Sequence, residues 1–165
     1  MNVVYLLLGA NLGDRRRQLS HAIREIEQHI GVVVKCSSVY ETEAWGVDDQ
    51  PSYFNQVLMV ETALKPRELL ASTQGIENRL GRTRTKKWES RVIDIDILFY
   101  NEQIIEEESL TIPHPLLHRR KFTLLPLTEL TKELMHPVLR KTVGQLLLEL
   151  EDPLEVKRLD DVEGD

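Results

Sequence analysis

Cys36 is the single cysteine in 165 residues, which excludes an internal disulfide and leaves no zinc-binding cysteine framework. No apolar run approaches the roughly 20 residues that a membrane helix needs. In MNVVYLLLGANLGDRRR the charges follow the apolar run, the reverse of a secretory signal, so a cytoplasmic protein without membrane contact is expected. Internal repeats and low-complexity linkers are also missing. One domain over residues 1–158 is therefore expected, followed by an acidic tail, 159–165, expected to be disordered. Gly9-Ala10-Asn11-Leu12-Gly13-Asp14 lacks the Gly-Lys-Ser/Thr ending of a P-loop and reads as a tight strand-to-helix turn.

What is present is ordinary for a soluble globular chain: 41% hydrophobic and 29% charged residues, enough for one sizeable core. The net charge of −6 argues against a protein that coats nucleic acid. That charge is uneven. Arg79, Arg82, Arg84, Lys86, Lys87 and Arg91 put six basic residues into thirteen, and His118-Arg119-Arg120-Lys121 forms a second cluster. Basic patches on an acidic protein point to a compact polyanion as partner.

Apolar patterning lays out the elements. Residues 3–8 read as a buried strand, and residues 14–30 as a helix with Leu19, Ala22, Ile23, Ile26 and Ile30 in one stripe. Asp14 is placed to cap that helix and Gly31 to stop it, while three arginines in its first turn oppose the dipole. One strand is expected from Val32 to about Tyr40 and another from Tyr53 to Thr62. The intervening loop, residues 41–52, is long enough to be functional, and Trp45 in it suits a planar ligand. On the second strand Tyr53 and Asn55 share a face; ring and carboxamide could stack on and read a flat heterocycle, or simply be a core tyrosine and a strand-end asparagine. Pro66 and Gly81 bracket a helix whose buried stripe is Leu69, Thr73, Ile76 and Leu80, flanked by Gln74 and Glu77. A short segment is expected to begin at Ile104. Thr111-Ile112-Pro113-His114-Pro115 is stiff, residues 119–130 are apolar enough to re-enter the core, and 142–149 read as a short helix.

The chemistry centres on Arg91-Val92-Ile93-Asp94-Ile95-Asp96-Ile97-Leu98-Phe99-Tyr100. As a regular strand it would put Ile93, Ile95, Ile97 and Phe99 on one side and Asp94 and Asp96 on the other. Arg91 shares the isoleucine parity, so the regular strand is expected to begin after it, or to bulge near Val92. Carboxylates two residues apart sit roughly 7 Å apart along a strand and can converge on a hard cation such as Mg²⁺. The strand alone leaves open whether they bind metal or merely face water. The adjoining basic segment 82–91 favours phosphate and metal chemistry, in which cations neutralise charge on transferred phosphoryl groups. Two other classes remain as alternatives: a base-stacking RNA module, which the acidic net charge disfavours, and a metal-dependent nuclease or phosphatase.

Arg91-x-x-Asp94-x-Asp96-Ile97-Leu98 after Trp88, with Tyr53-x-Asn55 upstream and Pro113-His114 downstream, resembles the 6-hydroxymethyl-7,8-dihydropterin pyrophosphokinase family of folate biosynthesis. The likeness runs from Leu8-Gly9-Ala10-Asn11-Leu12 to about residue 130. It implies an α+β, ferredoxin-like three-layer α/β/α sandwich with a mainly antiparallel sheet. The implied reaction moves pyrophosphate from ATP to the pterin hydroxymethyl group and releases AMP. By the same resemblance Asp94 and Asp96 hold two Mg²⁺ ions, and Thr42, Trp45, Tyr53, Asn55 and Phe122 form the pterin pocket. Gln74, Glu77, Arg84, Trp88, Arg91, Ile97, Thr111, His114 and Arg120 surround ATP, and Arg82 approaches as a loop closes. Arg82, Arg84 and Arg91 stabilise charge, and no side chain stands out as general base. A monomer with pterin and ATP as its partners is expected. Glu89-Ser90, Ser109 and Pro115 depart from the family's usual pattern.

Overall fold

The computed structural model describes residues 1–43, 51–81 and 92–159. Its organising strand is the first apolar run, β1 (Asn2–Ala10), which is paired on both edges and buried on both faces. Strand alternation sends Val4, Leu6, Leu8 and Ala10 to one side of the sheet and Tyr5 and Leu7 to the other. β4 (Tyr53–Thr62) lies along one edge of β1 and β5 (Asp94–Tyr100) along the other. The outer edge of β4 is shared end to end by β2 (Gly31–Cys36) and β3 (Tyr40–Thr42), and β8 (Val156–Arg158) pairs with β3. A separate hairpin joins β6 (Ile105–Glu107) to β7 (Leu110–Ile112). Every strand pairing among the described residues is antiparallel.

Helices cover both faces. α1 (Arg15–His29) and α2 (Pro66–Leu80) bury Leu19, Ala22, Ile26, Leu69 and Ile76 against Val4, Leu6, Leu8 and Val60. α3 (Lys121–Thr131) and α4 (Val143–Glu149) bury Leu124, Leu127, Val143 and Leu146 against Tyr5, Leu7 and Val57. Each fully buried Leu or Ile contributes about 2 kcal/mol on an area basis. The result is the expected α+β, ferredoxin-like three-layer sandwich. No helix of the described residues is long and apolar enough to cross a membrane.

Local signals explain the boundaries. Asp14 caps α1 by accepting from the Arg17 amide (3.2 Å), and β2 begins at Gly31. A Cβ on Gly31 would stand 2.0 Å from the Glu61 carbonyl oxygen, so only glycine lets the chain turn this tightly onto β4. One arginine that opposes the α1 dipole has an evident use. Arg15 donates to the Ser52 carbonyl (2.8 Å) and hydroxyl (2.7 Å) and stacks over Phe54, 3.9 Å from the ring centre.

Several expectations need correction. The strand anticipated over 32–40 is two strands, because Ser37 interrupts the ladder. Its amide donates to Val57, but its hydroxyl, in place of a backbone carbonyl, accepts from the Val57 amide (2.9 Å). Regular β5 begins at Asp94, after Arg91 as expected. However, Phe99 does not share the isoleucine face. Leu6 pairs with Ile97 and Tyr5 with Phe99, which leaves Leu98 as an extra residue, a β-bulge that reverses the parity. Phe99 therefore packs edge-on to Tyr5 under α3 and α4, while Tyr100 joins the opposite core. The apolar stretch 119–130 does re-enter the core, chiefly as the helix α3, which carries Pro126 in its interior, and β8 was not anticipated. The expected tail, 159–165, lies outside the described residues except for Leu159, whose amide donates to Val39 (2.9 Å).

Glu129 ties α3 to the sheet, accepting from the Ser38 amide (2.6 Å) and the Tyr40 hydroxyl (3.0 Å). Burial first, then the Glu129 hydrogen bond and its charge, push the Tyr40 phenol from 10.0 up to about 12, with Arg158 opposing. A folded pKa above the unfolded one means that this contribution is complete below pH 10 and is lost as pH rises towards about 12. Tyr40→Phe is expected to cost about 1 kcal/mol at neutral pH and to flatten the fall in stability across that alkaline window, measured by urea unfolding.

Candidate active site

Strand register assembles the site before any side chain is considered. Gly9 pairs with Asn55 on β4 and with Asp94 on β5, and Leu7 pairs with Val57 and Asp96 in the next row on the same face. With no side chain between them, Asp94 and Asn55 flank an open floor at Gly9. A Cβ there would lie 2.9 Å from Asn55 Nδ2. That Nδ2 donates to the Leu8 carbonyl (3.2 Å), which fixes the carboxamide plane. On β3, Thr42 pairs with Tyr53 and adds a buried hydroxyl whose Oγ1 has no hydrogen-bond partner.

This floor belongs to a cavity of about 600 Å³. Gly9, Thr42, Tyr53, Asn55, Asp94 and Asp96 line the sheet side. Arg119, Arg120 and Phe122, at the start of α3, line a second side, and the segment Glu151–Leu154 closes a third. Arg120 lies over the Phe122 ring, 5.4 Å from its centre. Burial, and secondarily the Asp94 carboxylate, raise the Tyr53 pKa, so its phenol stays protonated at neutral pH.

A second cavity, of about 290 Å³, opens between α2 and the β6–β7 hairpin. Asp96, Ile97, Ser109, Thr111, His114 and Pro115 are among its lining residues, and Asp96 lines both cavities. His114 Nδ1 accepts from the Leu116 amide (3.1 Å), so in the neutral ring Nε2 carries the proton. Burial lowers the His114 pKa, Asp96 opposes that shift and Arg120 reinforces it. The imidazole is thus a neutral donor at pH 7.

The residues singled out from sequence divide accordingly. Thr42, Tyr53, Asn55, Asp94, Asp96, Arg120 and Phe122 meet in the first cavity, and Asp96, Ile97, Thr111 and His114 in the second. Glu77 lines neither; its Oε2 accepts from the Ile95 amide (2.8 Å) and braces the strand that carries the aspartates. Gln74 is exposed on α2 and lines neither. Trp45, Arg82, Arg84, Trp88 and Arg91, with Glu89-Ser90, lie outside the described residues. Sequence reasoning missed Gly9, Arg119 and the 151–154 wall. Arg119 had a signal in its basic cluster, whereas Gly9 needed the strand register and the wall needed the long-range docking of the chain end.

The antiparallel α+β sandwich is thus a domain with two adjoining cavities, an aromatic, amide-lined one that holds Asp94 and Asp96 and a smaller one that shares Asp96. The family model for 7,8-dihydro-6-hydroxymethylpterin-pyrophosphokinase matches residues 5–132, and the chain belongs to that family. A Bacillus subtilis 2-amino-4-hydroxy-6-hydroxymethyldihydropteridine pyrophosphokinase is 45% identical over 133 residues, covering 80% of each chain. The enzyme of that name from Aquifex aeolicus is 42% identical over 145 residues, covering 88% of this chain and 90% of its own. Among solved structures, the Plasmodium falciparum HPPK-DHPS protein superposes with a TM-score of 0.70 at 20% identity. That match covers 90% of this chain but 43% of the Plasmodium chain, and it bears on the fold alone.

Removing the Glu77 carboxylate strands a buried amide. Glu77→Ala is expected to cost about 1–3 kcal/mol and to accelerate hydrogen exchange at Ile95. Glu77→Gln retains an acceptor oxygen and should keep most of that protection.

Proposed function

We propose that this chain transfers pyrophosphate from ATP to the hydroxymethyl group of 6-hydroxymethyl-7,8-dihydropterin, forming the pterin diphosphate and AMP in folate biosynthesis. The observation that carries the reading is Asp96, one carboxylate common to two cavities of different chemistry. The larger one suits the pterin. Tyr53 and Phe122 offer ring faces, Asn55 a carboxamide held in plane, and Thr42 an unpartnered hydroxyl for a flat heterocycle's polar edge. The smaller one suits ATP, with Thr111 and the His114 Nε2–H as donors and Ile97 as an apolar wall. Arg120 at the first cavity adds positive charge.

Asp94 and Asp96 fit Mg²⁺ by donor type: two carboxylates on one strand face, both lining the first cavity. Among the described residues no three His, Cys, Asp or Glu side chains form a metal-binding group. Such a pair suits a cation whose remaining ligands are phosphate and water. When bound, two Mg²⁺ ions would supply charge neutralisation for the transferred phosphates.

The chain's own groups orient the substrates. Thr42, Asn55, Tyr53 and Phe122, with Trp45, would hold the pterin so that its hydroxyl faces the β-phosphorus in line. Glu77 acts by bracing β5, Ile97 and Trp88 complete the ATP surround, and Gln74, outside the second cavity, would reach ATP only from its rim. Arg82, Arg84 and Arg91 would stabilise developing charge. Positioning and electrostatics carry the rate, without an assigned general base. The reading takes the protein as a cytoplasmic monomer.

With ATP, Mg²⁺ and the reduced hydroxymethylpterin, the expected products are AMP and a diphosphorylated pterin. ADP would indicate ordinary kinase chemistry, and AMP without pterin consumption would indicate hydrolysis. Asp96→Asn is expected to slow AMP formation on the order of 10²–10³-fold, the scale of losing one electrostatic element of such a site.

A further inference from the structure

We propose that Asp152 is a positioning residue of the larger cavity, holding the start of α3, and with it Arg120 and Phe122, against the wall formed by Glu151–Leu154. The inference rests on the reading of that cavity as the pterin site.

The start of α3 is not capped by its own sequence. Arg120 occupies the N-cap position in extended conformation but provides no side-chain hydrogen bond. The Thr123 and Leu124 amides turn back to the Arg120 carbonyl (3.0 Å each), but the first helical amide, that of Lys121, has no acceptor within the helix. It donates instead to Asp152 Oδ2 (3.1 Å), 31 residues further along the chain. A carboxylate at a helix N-terminus also meets the positive end of the helix dipole. The second oxygen is used as well: Asp152 Oδ1 accepts from the Leu154 amide (3.0 Å), folding the segment back across Pro153.

One carboxylate therefore joins two walls of the cavity. Asp152, Pro153 and Leu154 line it from one side, and Arg120 and Phe122 from the other. Phe122 is one residue beyond the amide that Asp152 holds, so a shift in the first turn of α3 moves the ring. The Arg120 guanidinium rests over the same ring and would move with it. The second cavity does not include Asp152, Phe122 or Arg120 among its lining residues. Loss of Asp152 should thus weaken pterin binding more than ATP binding, which would feel only the displaced Arg120 charge near His114, a split that a general loss of stability would not produce.

The test compares Asp152→Ala and Asp152→Asn with wild type, measuring KM for pterin and for ATP separately and following exchange of the Lys121 amide. For Asp152→Ala the expected result is a pterin KM raised about tenfold, the scale of losing hydrogen bonds to a charged group. Its ATP KM should rise less, by about threefold at most through the displaced Arg120 charge, with faster Lys121 exchange. Asp152→Asn keeps an acceptor oxygen, serves as the test variant if the alanine variant fails to fold, and should raise the pterin KM by only about threefold. As a control, Lys141→Ala breaks the surface ion pair with Glu149 on α4 and should change neither KM. An unchanged pterin KM in Asp152→Ala, or equal rises in both KM values, overturns the positioning role. If wild type itself does not bind pterin, the functional reading fails; Lys121 exchange still reports the cap in that case, so the two failures are told apart.

Discussion

Strand β1 is paired along both edges, and the site depends on that pairing. Its pairing with β4 and β5 sets Gly9 between Asn55 and Asp94, and Leu7 between Val57 and Asp96. A slip of one residue in either pairing would send the aspartates or the asparagine to the opposite face. The buried alternation of Val4, Leu6 and Leu8 against Tyr5 and Leu7 makes such a slip expensive, because it would exchange two apolar sets fitted to different helix pairs. Hydrophobic burial thus holds polar groups in a geometry that their own chemistry would not select, since neighbouring carboxylates repel.

The bulge at Leu98 shows how both demands are met on one strand. Before it, β5 offers Asp94 and Asp96 to the α3–α4 face while Ile95 and Ile97 enter the other core. Beyond it, Phe99 takes the α3–α4 face, beside Tyr5, and closes the second core below the site. Without the extra residue, either the aspartates or Phe99 would point the wrong way. The carboxylate end is braced from outside the sheet, where the Glu77 side chain takes the Ile95 amide.

Much of the rest is long-range stitching by side chains. Glu129 connects α3 to Ser38 and Tyr40, Arg15 connects α1 to Ser52 and Phe54, and Asp152 connects the end of the chain to the start of α3. Each uses a charged or polar group that a local reading assigns only to solubility or to its own helix. The arginines of α1 illustrate the point: unfavourable for the helix dipole, Arg15 gains a pair of hydrogen bonds and a ring face elsewhere.

By itself the sequence determined the principal elements and the chemical character of the site. Apolar period set α1, α2, α4, β1 and β4, because burial of one stripe or face is a local constraint on which residues must be apolar. Asp94-x-Asp96 and Tyr53-x-Asn55 declared their shared faces, because strand alternation is intrinsic to the backbone. Only the tertiary structure decided the parity of Phe99, the break at Ser37, the helix containing Pro126, the empty floor at Gly9 and the wall at Asp152. Each of these depends on a partner far along the chain, for example a bulge measured against β1 or a helix amide answered from residue 152. Such pairings are set by how whole layers pack, and local pattern carries no trace of that.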